Sequence, residues 1–308
     1  MSVPRAAVDV GSNSVRLLVV DAAGRRLTRE LTITRLGRGI DATGRFDAAA
    51  LEHTVQTILR YRAIWTAHGV DQAVRVAATA AVRDAADADR FLSAVEAATG
   101  LRVEILSGEQ EAALAFSGAT GAVEVARPTA VIDVGGGSTE LIVGDGSGAV
   151  AASVSLQLGC VRVTERHLTG DPPSQAELAA ARRMVDEQLD QADRGLAEHG
   201  AALADVASLV GVAGTATTLA ALHLGLETYA ESAIHGTRIP ADVLRSLAVE
   251  LASIPAAQRA ALGPMQPGRE DVIHGGGVVL AAVLDRYGHD ELVVSEADGL
   301  DGLVASMG

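Results

Sequence analysis

Cysteine, aromatic residues and positive charge are all scarce in this chain of 308 residues, and each shortage removes a class of function. Cys160 is the only cysteine, which rules out an intramolecular disulfide and a zinc site built from a cysteine cluster. Phe, Tyr and Trp make up 2% of the sequence, too few for a platform that stacks bases. A net charge of −14 argues against holding a nucleic-acid polymer on a broad electrostatic surface. No apolar run approaches the roughly 18 residues that span a bilayer. Arg5 leads straight into strand-like sequence, without a signal-peptide pattern. A soluble, cytoplasmic protein is expected, with neither membrane nor nucleic acid among its partners. An acidic chain can still bind an anion where arginines, backbone N–H groups and a metal converge.

What the chain does contain is a repeat. VDVGSNSVRLLVV runs from Val8 to Val20, and IDVGGGSTELIVG from Ile132 to Gly144. Aligned, Asp9 falls on Asp133, Gly11 on Gly135, Ser14 on Ser138 and Arg16 on Glu140. Each copy predicts a strand, a tight polar turn and a second strand. Elsewhere strands alternate with amphipathic helices, so the fold class is α/β. Two domains of related architecture are expected, at 1–124 and 125–308, with a cleft between them. The last helix, about 297–308, is expected to pack back on the first domain. A helix follows Asp47 and ends before Gly69, and another is expected to run unbroken from TAAVRD to Gly100. Ser174 and Glu177 form a capping box. Gly275, Gly276 and Gly277 interrupt a helical pattern, which implies close approach by another helix or by a ligand.

A carboxylate at the end of a buried strand is costly unless it is paired, hydrogen-bonded or bound to a metal. Gly and Ser after it leave backbone N–H groups bare, which is an anion-binding arrangement. Asp9 and Asp133 beside such turns make sense if a hard cation sits between carboxylate and phosphate oxygens. One such turn could be an ordinary hairpin; two in register point to a site. Gly214 and Thr215 mark a third candidate, where a strand becomes a helix, with simple capping by Thr215 as the alternative. The histidines show no metal-ligand spacing, and only His235 and His274 lie near these motifs.

ATAAVR, ILSGEQEA, VIDVGGGSTEL, VGVAGTATTLA and PGREDVIHGGG follow the first turn in that order. Together they resemble the exopolyphosphatase / guanosine pentaphosphate phosphohydrolase family, within the actin-like ATPase and sugar-kinase superfamily, over essentially the whole chain. The resemblance implies ribonuclease H-like architecture in both domains. It implies phosphate binding by Gly11, Ser12, Asn13 and Ser14 and by Gly135, Gly136, Gly137 and Ser138. Asp133 and Glu140 would lie near Mg2+, with Mn2+ as an alternative metal. Arg83 matches a phosphate-binding arginine, Glu111 a general base, and Arg269 an arginine near the cleft. Gln110 stands where the family often has an acid, and Glu109 is the rival to Glu111. The implied substrates are inorganic polyphosphate or guanosine pentaphosphate, and the implied assembly is a homodimer. Longer members carry an extra C-terminal helical region; its absence here leads to an expected preference for short chains. A non-catalytic anion sensor and a kinase are the competing classes. A phosphoanhydride hydrolase needs an oriented water, a base and cationic stabilisation of the phosphoryl oxygens, and this set supplies all three.

Overall fold

The chain divides into two compact units, Met1–Gly118 together with Gly299–Gly308, and Ala119–Asp298. The computed structural model describes residues 3–38 and 40–308.

The first unit holds β1 (Arg5–Val10), β2 (Ser14–Val20), β3 (Arg26–Ile33), α1 (Ile40–Thr43), α2 (Ala48–Ala67), β4 (Val74–Ala78), α3 (Ala80–Asp84), α4 (Ala88–Thr99), β5 (Val103–Ile105) and most of α5 (Gly108–Gly121). Its sheet runs β3-β2-β1-β4-β5, antiparallel from β3 to β1 and parallel from β1 to β5. Helices cover both faces, so β1 is apolar on both. Val8 and Val10 meet Ile58, Tyr61 and Trp65 of α2 and Phe91 of α4 on one face. Ala7 and Leu18 meet Leu300, Leu303 and Val304 of the terminal helix, Gly299–Ala305, on the other. That helix lies so near α5 that a Cβ on Gly302 would fall 2.0 Å from the Leu114 carbonyl oxygen. Asp47 caps α2, its carboxylate accepting from Ala50 N at 2.9 Å. The single helix expected up to Gly100 is two helices, α3 and α4. The backbone turns extended at Ala85, and the Asp87 carboxylate accepts from Phe46 N at 3.0 Å.

The second unit holds β6 (Thr129–Val134), β7 (Thr139–Gly144), β8 (Val150–Leu156), α6 (Cys160–His167), α7 (Gln175–Ala197), β9 (Ser208–Val212), α8 (Ala213–His223), α9 (Glu231–Ile234), β10 (Arg238–Pro240), α10 (Ala241–Ser253), α11 (Ala256–Ala260), α12 (Ile273–Tyr287) and β11 (Glu291–Val294). Its sheet order is β10-β11-β9-β6-β7-β8. The run β8-β7-β6-β9-β11 repeats the first unit's order, and β10 adds an antiparallel edge. Ser174 and Glu177 form the expected capping box, and the Ser174 backbone N–H and hydroxyl hold the Glu177 carboxyl down to about 2. The three glycines of α12 are explained by helices. A Cβ at Gly275 would meet Thr164 Oγ1 of α6 at 2.5 Å, one at Gly276 Thr215 Cγ2 of α8 at 2.4 Å, and one at Gly277 Ala248 Cβ of α10 at 3.2 Å. Among the described residues, no helix is long and apolar enough to cross a membrane.

Candidate functional site

In each unit the polar turn follows the carboxyl end of a central parallel strand, where sheets of this kind present their ligand-binding loops. The two turns are built alike. Gly11 N donates to Ser14 O and Gly135 N to Ser138 O, both at 3.0 Å. A Cβ on either glycine would meet the serine oxygen at 3.3 Å. Ser12 and Asn13 are exposed, as are Gly136 and Gly137, so the middle of each turn is open to a ligand. The segment after the third strand of each sheet folds over its turn. Gly37 N donates to Ser12 O at 2.7 Å, and Thr34 N and Arg35 N donate to Asn13 O. Cys160 N donates to Gly135 O, and Val161 N and Arg162 N donate to Gly136 O. Gly159 permits that approach, since a Cβ there would sit 2.4 Å from Gly136 O.

The strands beside the turns differ in one pairing. Asp9 stands opposite Arg16, which donates to Asp9 Oδ2 from Nε at 3.1 Å and from Nη2 at 2.5 Å. Asp133 stands opposite Glu140, and Glu140 Oε1 accepts from Ser155 Oγ at 3.0 Å. Like charges directly across a strand pair repel unless a cation joins them. Two carboxylates suit Mg2+, which takes one or two and leaves its other positions to water and phosphate. Asp133 and Glu140 therefore fit the expected metal. Asp9, also expected beside a metal, already has a cation in Arg16. Among the described residues, no group of three or more His, Cys, Asp or Glu could hold a metal ion unaided.

Arg83 and Glu111 come together because α3 and α5 follow neighbouring parallel strands, β4 and β5. Arg83 Nη1 lies 3.9 Å from Glu111 Oε2 and donates to Leu106 O at 2.9 Å. Ser107 N donates to Gln110 Oε1 at 2.8 Å, and Gln110 N donates to Ser107 Oγ at 3.2 Å. Gln110 is therefore a capping residue, legible in the Ser-x-x-Gln spacing but missed in reading the sequence. Glu109 is exposed in the first turn of α5, whereas Glu111 is half-buried.

At the third candidate, Ala213 opens α8 with φ +60°, a conformation that costs a non-glycine residue about 1–2 kcal/mol. Arg269 lies against the next residue: a Cβ on Gly214 would sit 1.8 Å from its Nη1. Arg269 is braced by its own Nε, which donates to Gln266 Oε1 at 3.0 Å. A guanidinium at the positive end of a helix is favourable once an anion joins them. Thr215, expected to bind phosphate, is 2% exposed, and its hydroxyl donates to Val134 O at 3.0 Å. Its side chain ties α8 to β6. His235 accepts from Glu296 N through Nδ1 and lies 2.8 Å from Ala122 O through Nε2. His274 is buried in the first turn of α12. Cys160 is buried, and burial pushes its thiol up, as suits a packing residue. The sequence reading also passed over Arg162, Glu165 and Arg166 of α6, beside the second turn.

Two ribonuclease H-like units, with open turns after their first strands and paired acids beside one turn, define an α/β protein of the actin-like class. The chain belongs to the Ppx/GppA phosphatase family, whose model matches residues 18–307. It is 41% identical over 319 residues to Exopolyphosphatase 2 of Mycobacterium tuberculosis (strain CDC 1551 / Oshkosh), covering 98% of each chain. The type II variant of the Aquifex aeolicus Ppx/GppA phosphatase matches with a TM-score of 0.89 at 28% identity, over 99% of each chain. A crystal structure of an exopolyphosphatase-like protein matches at 0.78 with 34% identity, over 98% of each chain.

Proposed function

We propose that this chain is an exopolyphosphatase, a hydrolase that removes the terminal phosphate of inorganic polyphosphate, and that Mg2+ is its metal. The observation that carries the reading is Asp133 directly opposite Glu140, next to a turn with no side chains at Gly135–Gly137. Paired carboxylates and open backbone are complementary to a cation and to the phosphate oxygens it accompanies. The relative named Exopolyphosphatase 2 supports the substrate.

Asp133 and Glu140 would hold the cation, whose chemistry when bound is to offset charge on phosphate oxygens. The open N–H groups at Gly136 and Gly137 take non-bridging oxygens. Arg83 stabilises the charge that spreads over the phosphoryl oxygens as the bond breaks. Glu111 orients a water and accepts its proton while the water oxygen bonds to the terminal phosphorus. The bond from that phosphorus to the bridging oxygen breaks, releasing orthophosphate and a chain shorter by one unit. Arg269 and the start of α8 hold a neighbouring phosphate.

The test is phosphate release from short polyphosphate, long polyphosphate, guanosine pentaphosphate and ATP, with Mg2+ and with chelator. Polyphosphate is expected to be the best substrate, chelator to stop turnover, and Glu111→Gln to lower kcat by about 10²-fold or more. Preferred turnover of guanosine pentaphosphate or ATP would overturn the substrate, and full activity in Glu111→Gln the base.

A further inference from the structure

The second turn has a neighbour that the proposed reaction does not use. Gly136 and Gly137 form one wall of an open cavity of about 420 Å³, completed by Val161, Arg162, Glu165 and Arg166 of α6. Small-ligand sites occupy roughly 300–1,000 Å³. The first turn of α6 offers no free anion-binding amides there, because Cys160 N, Val161 N and Arg162 N already donate to the carbonyls of Gly135 and Gly136. On the α6 side of this cavity, recognition comes from side chains.

Those side chains are arranged for it. Arg162 Nε donates to Gly137 O at 2.8 Å, and its Nη2 donates to Gln157 Oε1 at 3.0 Å. Its guanidinium is thus fixed at the edge of the turn, and among the described residues its Nη1 has no protein partner. Arg166 follows one helical turn later, about 5.4 Å along the axis. Among the described residues it makes no ion pair and no hydrogen bond, even with the adjacent Glu165. In a protein of net charge −14, two arginines against one carboxylate make a locally positive wall. The chain has arginine but no lysine, and the planar guanidinium matches phosphate oxygens two at a time.

We propose that Arg162 and Arg166 form a subsite for the polyphosphate chain beyond the phosphate being cut, so that this wall sets the preference for chain length. Glu165 opposes them and weakens the hold, which favours release of the chain between cuts. This inference rests on the polyphosphate reading. Arg162 also braces the turn, so the test uses Arg166→Gln and Glu165→Gln.

KM and kcat are measured for polyphosphates from the shortest cleaved oligomer to several hundred units, alongside calorimetric binding of long polyphosphate to Glu111→Gln. Arg166→Gln is expected to raise KM for long chains by roughly three- to tenfold, leaving kcat and the shortest substrate unchanged. Glu165→Gln is expected to lower KM for long chains, and both effects shrink as salt rises. Unchanged KM in both variants, or an equal loss at every chain length, overturns the subsite while leaving the exopolyphosphatase reading intact. Absence of both cleavage and binding of polyphosphate in the unaltered protein overturns that reading, and the subsite with it.

Discussion

The β1–β2 and β6–β7 hairpins share strand register, a glycine-to-serine turn bond of 3.0 Å and a covering segment from the third strand of the sheet. They part at the residue facing the aspartate. Arg16 matches the charge of Asp9 inside the protein, whereas Glu140 adds a second negative charge beside Asp133. One position across a strand thus sets an ion pair beside the first turn and two facing carboxylates beside the second. The backbone is common to both, and the chemistry lies in side chains laid on it.

The sharpest way to break the contrast is to give the second hairpin the first one's partner. Glu140→Arg places a guanidinium opposite Asp133 and is expected to cut phosphate release by on the order of 10²-fold or more, with a higher Mg2+ requirement. A titration of activity against Mg2+ checks it, and an unchanged curve refutes the metal assignment.

A second contrast is pH response. His53 and His68 in the first unit are exposed, while His274 in the second is 2% exposed. Burial, then the nearby Arg259, holds the His274 imidazole down to about 4, with Asp171 opposing. The unfolded chain takes up this proton near pH 6.5 and the folded one only near 4, so the unfolded state binds more protons between them. Stability is full above pH 6.5 and falls as pH drops towards 4, by at most ~3 kcal/mol from this group. Denaturation midpoints between pH 4 and 7 should flatten in His274→Leu; an equally steep fall there would assign the acid limb elsewhere.

The covering segments give the next contrast. Gly159→Ala pushes a Cβ to 2.4 Å from backbone at Gly136, whereas Gly37→Ala meets the Ser12 side chain at 2.9 Å. The first is expected to cost about 2–3 kcal/mol and to lower activity, the second about 1 kcal/mol. Thermal melts of the two variants measure the difference, and equal shifts would mean that both turns yield equally. Smallest is Arg16→Gln, which leaves Asp9 without its ion pair. Its expected loss of activity is within about tenfold, because the pair is partly exposed and water screens part of what it contributes. A loss as large as that of Glu140→Arg would show that the first turn is no less dependent on its strand partner.

Much of this was legible before any coordinates, because the signals are local. The α/β alternation and the Ser174–Glu177 cap rest on neighbours within a few residues, and each copy of the repeat is one short contiguous string. The helix break at Ala85 was not, since its cause includes the Asp87 bond to Phe46, far back in the chain. Thr215 looks the same in sequence whether its hydroxyl meets a ligand or the Val134 carbonyl; packing of α8 on β6 settles that its partner is the carbonyl. Likewise Gly275–Gly277 announce a close approach, and only helix packing names α6, α8 and α10 as what approaches.

By itself, then, the sequence determined where the chain must turn and leave backbone bare, because a glycine's missing side chain and a strand's alternation are properties of the residues themselves. Tertiary structure alone decided which group stands by each of these residues: Arg16 for Asp9, Arg83 for Glu111, Arg269 for Gly214, Arg162 for Gly137. Such partners are chosen by strand register and by the fit of helices on sheets, which depend on the folded chain as a whole.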